Sequence, residues 1–132
     1  MSRLYAWSIV AVVLVLTGCQ TGPLKDVSLP RPFQSKAEQA LSDGIKEYED
    51  GDYKDAQASL RSALDHGLTS KVDQVKAHKY LAFIHCASNR EKQCREEFRK
   101  TLDIDPAFDL TPAESGHPIW GPVFRSVKRG GR

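Results

Sequence analysis

The pattern that most restricts this chain lies between residues 36 and 106, where apolar residues return at helical spacing between short polar turns. Ala37, Ala40, Leu41, Gly44, Ile45 and Tyr48 share one helical face. Asp50-Gly51-Asp52 interrupts the period, Tyr53, Ala56, Leu60, Ala63 and Leu64 resume it, and His66-Gly67 ends it. Gly67 sits where a helix C-cap wants a residue free to adopt positive φ. Val72, Val75, Leu81, Ala82 and Ile84 mark a third helix, Ser88-Asn89-Arg90 a second turn, and Cys94, Phe98, Thr101 and Leu102 a fourth helix stopped at Asp105-Pro106. Helices joined by turns this short pack antiparallel against their sequence neighbours.

The residues at the first turn carry a resemblance. Gly51-Asp52-Tyr53-Lys54-Asp55-Ala56, then Leu60 and Ala63-Leu64, with Gly44 as the small residue of the preceding helix, resemble a tetratricopeptide (TPR) repeat. In the second unit Asn89, Glu91, Cys94, Phe98, Thr101-Leu102 and Pro106 fall at matching places, with Ala82 as the small residue. Glu91 stands for the motif's tyrosine and Thr101 for an alanine, so this copy is degenerate. Asn89 can take the left-handed conformation expected of Gly51. Ala56 and Cys94 lie 38 positions apart, against about 34 in the family, and the surplus is assigned to a longer loop over Asp65–Lys71. An unrelated four-helix bundle shares the same periodicity.

The expected fold is all-α: two TPR-like antiparallel helix pairs over 36–106, with a short C-terminal capping helix within 107–132. Two repeats bury little by themselves, and the tail offers the cover. Phe108 and Leu110 sit in an extended stretch. Ile119, Trp120, Val123, Phe124 and Val127 then recur at helical spacing, which predicts a capping helix over Ile119–Lys128. Arg125, Lys128 and Arg129 suit its C-terminal end. Gly130-Gly131-Arg132 is expected to fray.

The start of the chain reads differently. Arg3 precedes an apolar run from Leu4 to Leu16, too short for a comfortable membrane span of about 20 residues and fitted to a secretory signal. It ends in Leu16-Thr17-Gly18-Cys19, which resembles the lipobox of bacterial lipoproteins. That resemblance implies a signal peptide over 1–18, cleavage after Gly18, and acylation of Cys19. Lipid on Cys19 would make the membrane one partner of the chain. Gln20 after the cysteine, in place of an aspartate, points to the outer membrane and its periplasmic side. Residues 19–35 carry Pro23, Pro30 and Pro32 without a helical period and read as a tether, or as an extended arm buried at Val27–Leu29 and Phe33. The chain of 132 residues holds 19 basic and 17 acidic side chains. Cleavage removes Arg3 alone, leaving 18 against 17, which argues against a nucleic-acid partner.

Lipobox, tether, two TPR-like pairs with Cys86 and Cys94, and the closing Pro-Ala-Glu-Ser-Gly-His-Pro-Ile-Trp-Gly-Pro-Val-Phe together resemble TssQ-type lipoproteins, associated with type VI secretion. The resemblance implies an accessory role in that system through a protein partner in the cell envelope. The alternative is a pilotin or assembly chaperone for an outer-membrane complex. On TPR geometry the concave side would carry Glu38, Leu41, Ile45 and Tyr48 from the first pair and Lys76, Lys79 and Phe83 from the second. Leu41, Ile45 and Phe83 read equally as plain core.

With Cys19 lipidated, Cys86 and Cys94 remain for an oxidising compartment, where two cysteines are usually paired. Antiparallel packing across Asn89 would bring them together, and the alternative is two small buried apolar residues. His78, His85, Cys86 and Cys94 lie near one another without metal-ligand spacing, so no metal and no cofactor is expected. No phosphate loop, HExxH or GxSxG is present, and no catalytic residue is assigned. Glu47, Glu49, Asp50 and Asp52 form a solvated turn. His117, beside Pro118 and Trp120, reads as packing for the cap in preference to a site.

Overall fold

A computed structural model describes residues 34–130. The expected signal peptide, the lipidation at Cys19, the tether up to residue 33 and the last two residues lie outside that range. The described chain is all-helical, built from antiparallel helix pairs.

Helix α1 (Lys36–Glu49) starts at a capping box. Ser35 Oγ accepts the Glu38 amide, and the Glu38 carboxylate accepts the Ser35 amide. It returns through Asp50-Gly51-Asp52 into α2 (Tyr53–Asp65). Helix α3 (Lys71–Ala87), capped by Ser70, returns through Ser88-Asn89-Arg90 into α4 (Glu91–Ile104). Both turns need a left-handed residue. Gly51 takes φ +87° and Asn89 φ +57°, so asparagine does in the second turn what glycine does in the first.

The surplus over a standard repeat is not all loop. Helix α3 has 17 residues against 14 in α1, so part of the insertion is almost a full extra turn of helix. That extra turn carries Val72, which is 64% exposed and does not belong to the buried face expected of it. Tyr53, which opens the apolar period of α2, is 42% exposed and packs its ring on Tyr48, centroids 5.4 Å apart.

Small residues set the spacing of the first pair. A Cβ at Gly44 would lie 2.8 Å from Leu60 Cγ and 3.0 Å from the Leu60 backbone nitrogen. Ala37, Leu41, Ala56, Leu60 and Ala63 close this core with Ala77, Leu81 and Ile84 of α3. The next turns of α3 serve a second core: Ala82, Phe83 and Cys86 pack with Cys94 and Phe98 of α4. Thr101, where the motif has alanine, is fully buried and satisfies its hydroxyl by donating to the Glu97 carbonyl at 3.0 Å. Cys86 and Cys94 are joined in a disulfide across the second turn.

The tail closes the second core. Leu110 is buried and Phe108 half-buried. A one-turn helix α5 (Pro112–Ser115), absent from the sequence expectation, follows. It is opened by a capping box in which Thr111 and Glu114 exchange amide bonds. Helix α6 (Trp120–Gly130) begins one residue later than expected and includes Gly130, expected to fray. Phe124 and Val127 are buried against α4, the Phe98 and Phe124 rings meeting edge to face at 5.1 Å. Lys128 ties α6 back to the tail, donating to the Phe108 carbonyl and the Asp109 carboxylate. A Cβ at Gly121 would run into the Ser115 carbonyl, so glycine is what lets α6 start against α5. Among the described residues no helix is long and apolar enough to cross a membrane.

Candidate protein-binding surface

Helices α1 and α3 lie side by side and form one face of the domain. Four of the seven residues expected on it line a shallow open groove: Glu38, Leu41 and Ile45 from α1, and Lys76 from α3. Gln34, Ser42 and Asp73 complete its wall. The floor is aliphatic and the rim charged. Glu38 is held by its capping box, and Lys76 faces Asp73 at 3.6 Å with half its side chain in solvent.

The other three expected residues do not line this groove: the chain's own tail lies against Phe83 and Lys79, and Tyr48 packs among aromatic rings of α2 and α3. Phe83 is only 2% exposed. The Trp120 indole stacks on it, centroids 4.4 Å apart and planes within 21°. Trp120 is held on its far side by the His117 ring, parallel at 3.3 Å, and its Nε1–H donates to the Glu114 carbonyl at 3.0 Å. Lys79 is not a free cation: its ammonium donates to Glu114 at 2.6 Å, with only 15% of the side chain exposed. Tyr48 is half-buried among Tyr53, Tyr80 and Phe83. Burial, with Tyr53 and Tyr80 beside it, pushes its phenol up to about 12.

Glu114 therefore does three things at once. One carboxylate oxygen caps α5, the other binds Lys79, and its carbonyl holds Trp120. Burial pushes its carboxyl up, but the bonds from Lys79 and Thr111 outweigh that and hold it below the ordinary range. The signal for this was present in Thr111-Pro112-Ala113-Glu114, a capping-box sequence with proline at the first helical position. Asp73 was also readable, three residues before Lys76 on one helix face.

His78 is a hydrogen-bond partner: its Nδ1 lies 2.6 Å from Glu97, which also accepts from Lys100 at 2.7 Å. Among the described residues no group of three or more His, Cys, Asp or Glu side chains gathers as metal ligands would. His117 is committed to the Trp120 stack.

No protein-family model matches the chain, and neither a curated protein nor a solved structure matches it.

Proposed function

We propose that this chain is a lipoprotein, anchored through Cys19 on the periplasmic side of the outer membrane, whose TPR-like domain binds a protein partner of the cell envelope. It catalyses nothing. Its place is that of an accessory component of a type VI secretion system. The observation that carries the reading is Leu16-Thr17-Gly18-Cys19 behind a single arginine and a run from Leu4 to Leu16 that is apolar but for Ser8. Two supports come from the folded part. The cysteines left after lipidation are paired, as suits an oxidising compartment. The α1–α3 groove keeps an aliphatic floor open beside charged rims, which suits a short peptide segment.

The structure moves the informative variants. Phe83 sits in the second core, so changing it tests folding. Ile45→Arg and Lys76→Glu alter half-exposed and exposed groove positions instead. The test is a metabolic label with an alkyne palmitate analogue, followed by pull-down from detergent-solubilised envelopes. Label on the wild type and none on Cys19→Ser is expected, as is enrichment of secretion-apparatus proteins that Ile45→Arg/Lys76→Glu loses. An unlabelled wild type rules out the anchor. Equal recovery by the groove variant rules out the surface.

A further inference from the structure

On the side of the molecule formed by α2 and the start of α4, two shallow clefts adjoin. Tyr53, Lys54, Gln57, Ile84, Ser88 and Arg90 line one. Lys54 and Gln57 continue into the second, with Arg61 and Ser62 beyond them. Lys54, Arg61 and Arg90 form no ion pair among the described residues, unlike Lys46, Lys79, Arg95, Lys100 and Lys128. The one carboxylate in the lining is Asp65, at the far end of the second cleft.

Two buried side-chain atoms at or near this strip have no hydrogen-bond partner among the described residues. Arg90 is fixed at one end by donating from Nη2 to Gln57 Oε1 at 2.7 Å, while its Nε is buried and bonded to nothing among the described residues. His85, 3% exposed, has a buried Nδ1 without a partner. Its carbonyl accepts the Arg90 amide at 2.9 Å, so the two residues meet at the α3–α4 turn. The charges facing His85 are Arg61 from α2, Arg90 from the α3–α4 turn, and Glu97 and Lys100 from α4, and Glu97 is already engaged by His78 and Lys100. Three cations without an ion pair along adjoining clefts, one of them with its guanidinium anchored on Gln57, make an arrangement that an anion would compensate.

We propose that the two adjoining clefts between α2 and the α3–α4 turn bind a phosphate-class oxyanion where they meet at Lys54 and Gln57, with Arg90 on one side, Arg61 on the other and His85 near both. Guanidinium groups present paired N–H donors that match phosphate oxygens. The anion comes either free from solution or as a phospholipid headgroup. The site lies apart from the α1–α3 groove and does not depend on it.

The test titrates inorganic phosphate into the full chain in detergent, at constant ionic strength, and follows the His85 imidazole by long-range nitrogen–proton NMR. A saturable shift is expected, with the His85 titration midpoint moving up because phosphate neutralises the cations that oppose its protonation. Arg61→Gln should weaken binding by about tenfold and Arg90→Gln by more. Arg99→Gln, an exposed cation on α4, should leave it unchanged. Arg61 is exposed and makes no side-chain bond among the described residues, so its variant keeps the fold even where Arg90→Gln does not. A second arm sediments the protein with vesicles of phosphatidylglycerol or phosphatidylcholine after removal of the lipid anchor. Arg61-dependent retention on phosphatidylglycerol that phosphate competes away identifies the headgroup. Saturable phosphate binding without retention identifies the free ion. A linear shift shared by wild type and Arg61→Gln overturns the site.

Discussion

Gly44 faces Leu60 across the tightest approach of the first pair, and adding one methyl there sets two effects of opposite sign against each other. Alanine is the better helix former, worth about 1 kcal/mol over glycine in a helix interior. The same methyl would stand 2.8 Å from Leu60 Cγ and 3.0 Å from its backbone nitrogen. A side-chain clash can be relieved by a new rotamer; a clash with backbone requires α1 and α2 to move apart. Overpacking of this kind costs roughly 1–3 kcal/mol, and the backbone contact places it in the upper half of that range. The net expectation for Gly44→Ala is a loss of about 1–2 kcal/mol, a drop in Tm of roughly 5–15 °C for a domain this size. Urea unfolding of the oxidised protein, followed by circular dichroism, measures it. Repeating the substitution in a Leu60→Ala background isolates the contact. Without the Leu60 side chain, Gly44→Ala should cost about 1 kcal/mol less, a coupling visible in a double-mutant cycle. A Gly44→Ala protein as stable as wild type, or more so, would refute the close packing of α1 on α2.

Reducing the Cys86–Cys94 disulfide, eight residues apart in sequence, should cost about 2–3 kcal/mol by loop-closure entropy; unchanged urea midpoints with and without reductant would remove that role. Trp120→Ala strips the cover from Phe83 and should cost about 2–3 kcal/mol, less than a fully buried tryptophan because Trp120 keeps one edge in solvent. Hydrogen exchange should rise around Phe83 and Tyr80, and an effect confined to α6 would contradict the stack. Stability should fall on acidification in two stages. Burial, then Arg90, lowers the His85 midpoint below 6.5, so the unfolded chain binds more protons and stability is lost as pH falls below 6.5 towards the folded value. Burial raises Glu97, but His78 and Lys100 outweigh it and hold it below 4.5, so its contribution goes as pH falls below 4.5 through the folded value. His85→Gln should abolish the first stage alone, which urea midpoints between pH 7 and 4 would reveal.

The parts of this fold that could be read in advance are those governed by local rules. Gly51 and Asn89 mark turns because few other residues accept positive φ. Ala56, Leu60, Cys94 and Phe98 mark buried faces because helical period alone puts them there. The misses come from long-range contacts. Val72 fits the period yet falls on the extra turn of α3, which nothing covers. Phe83 and Lys79 lie on the expected concave side, but residues about 35 positions away meet them there. Periodicity gives a residue's direction from its helix and not what arrives opposite it. The helix α5 was within reach, since its capping box is a local signal.

The tail also limits what the groove can hold. The open part runs from Glu38 to Ile45 on α1, about 10 Å at 1.5 Å per residue. That matches about three residues of extended chain at 3.3 Å each. A contact so small has few places for anchoring side chains, and most of its binding energy goes to offset lost translational and rotational freedom. Under the proposed anchoring, confinement supplies what the contact lacks. Two components held on one membrane meet at a high effective concentration, which can raise apparent affinity by a factor of 10² to 10⁴ without any new interaction. Cys19→Ser, exported behind a cleavable signal so that the same domain is released into the periplasm, should therefore lose its partner far more severely than Ile45→Arg in the anchored chain. Crosslinking in intact cells at matched expression separates the two. Equal crosslinking by the released and anchored forms would mean that the surface binds strongly by itself, and that the partner extends well beyond a three-residue groove.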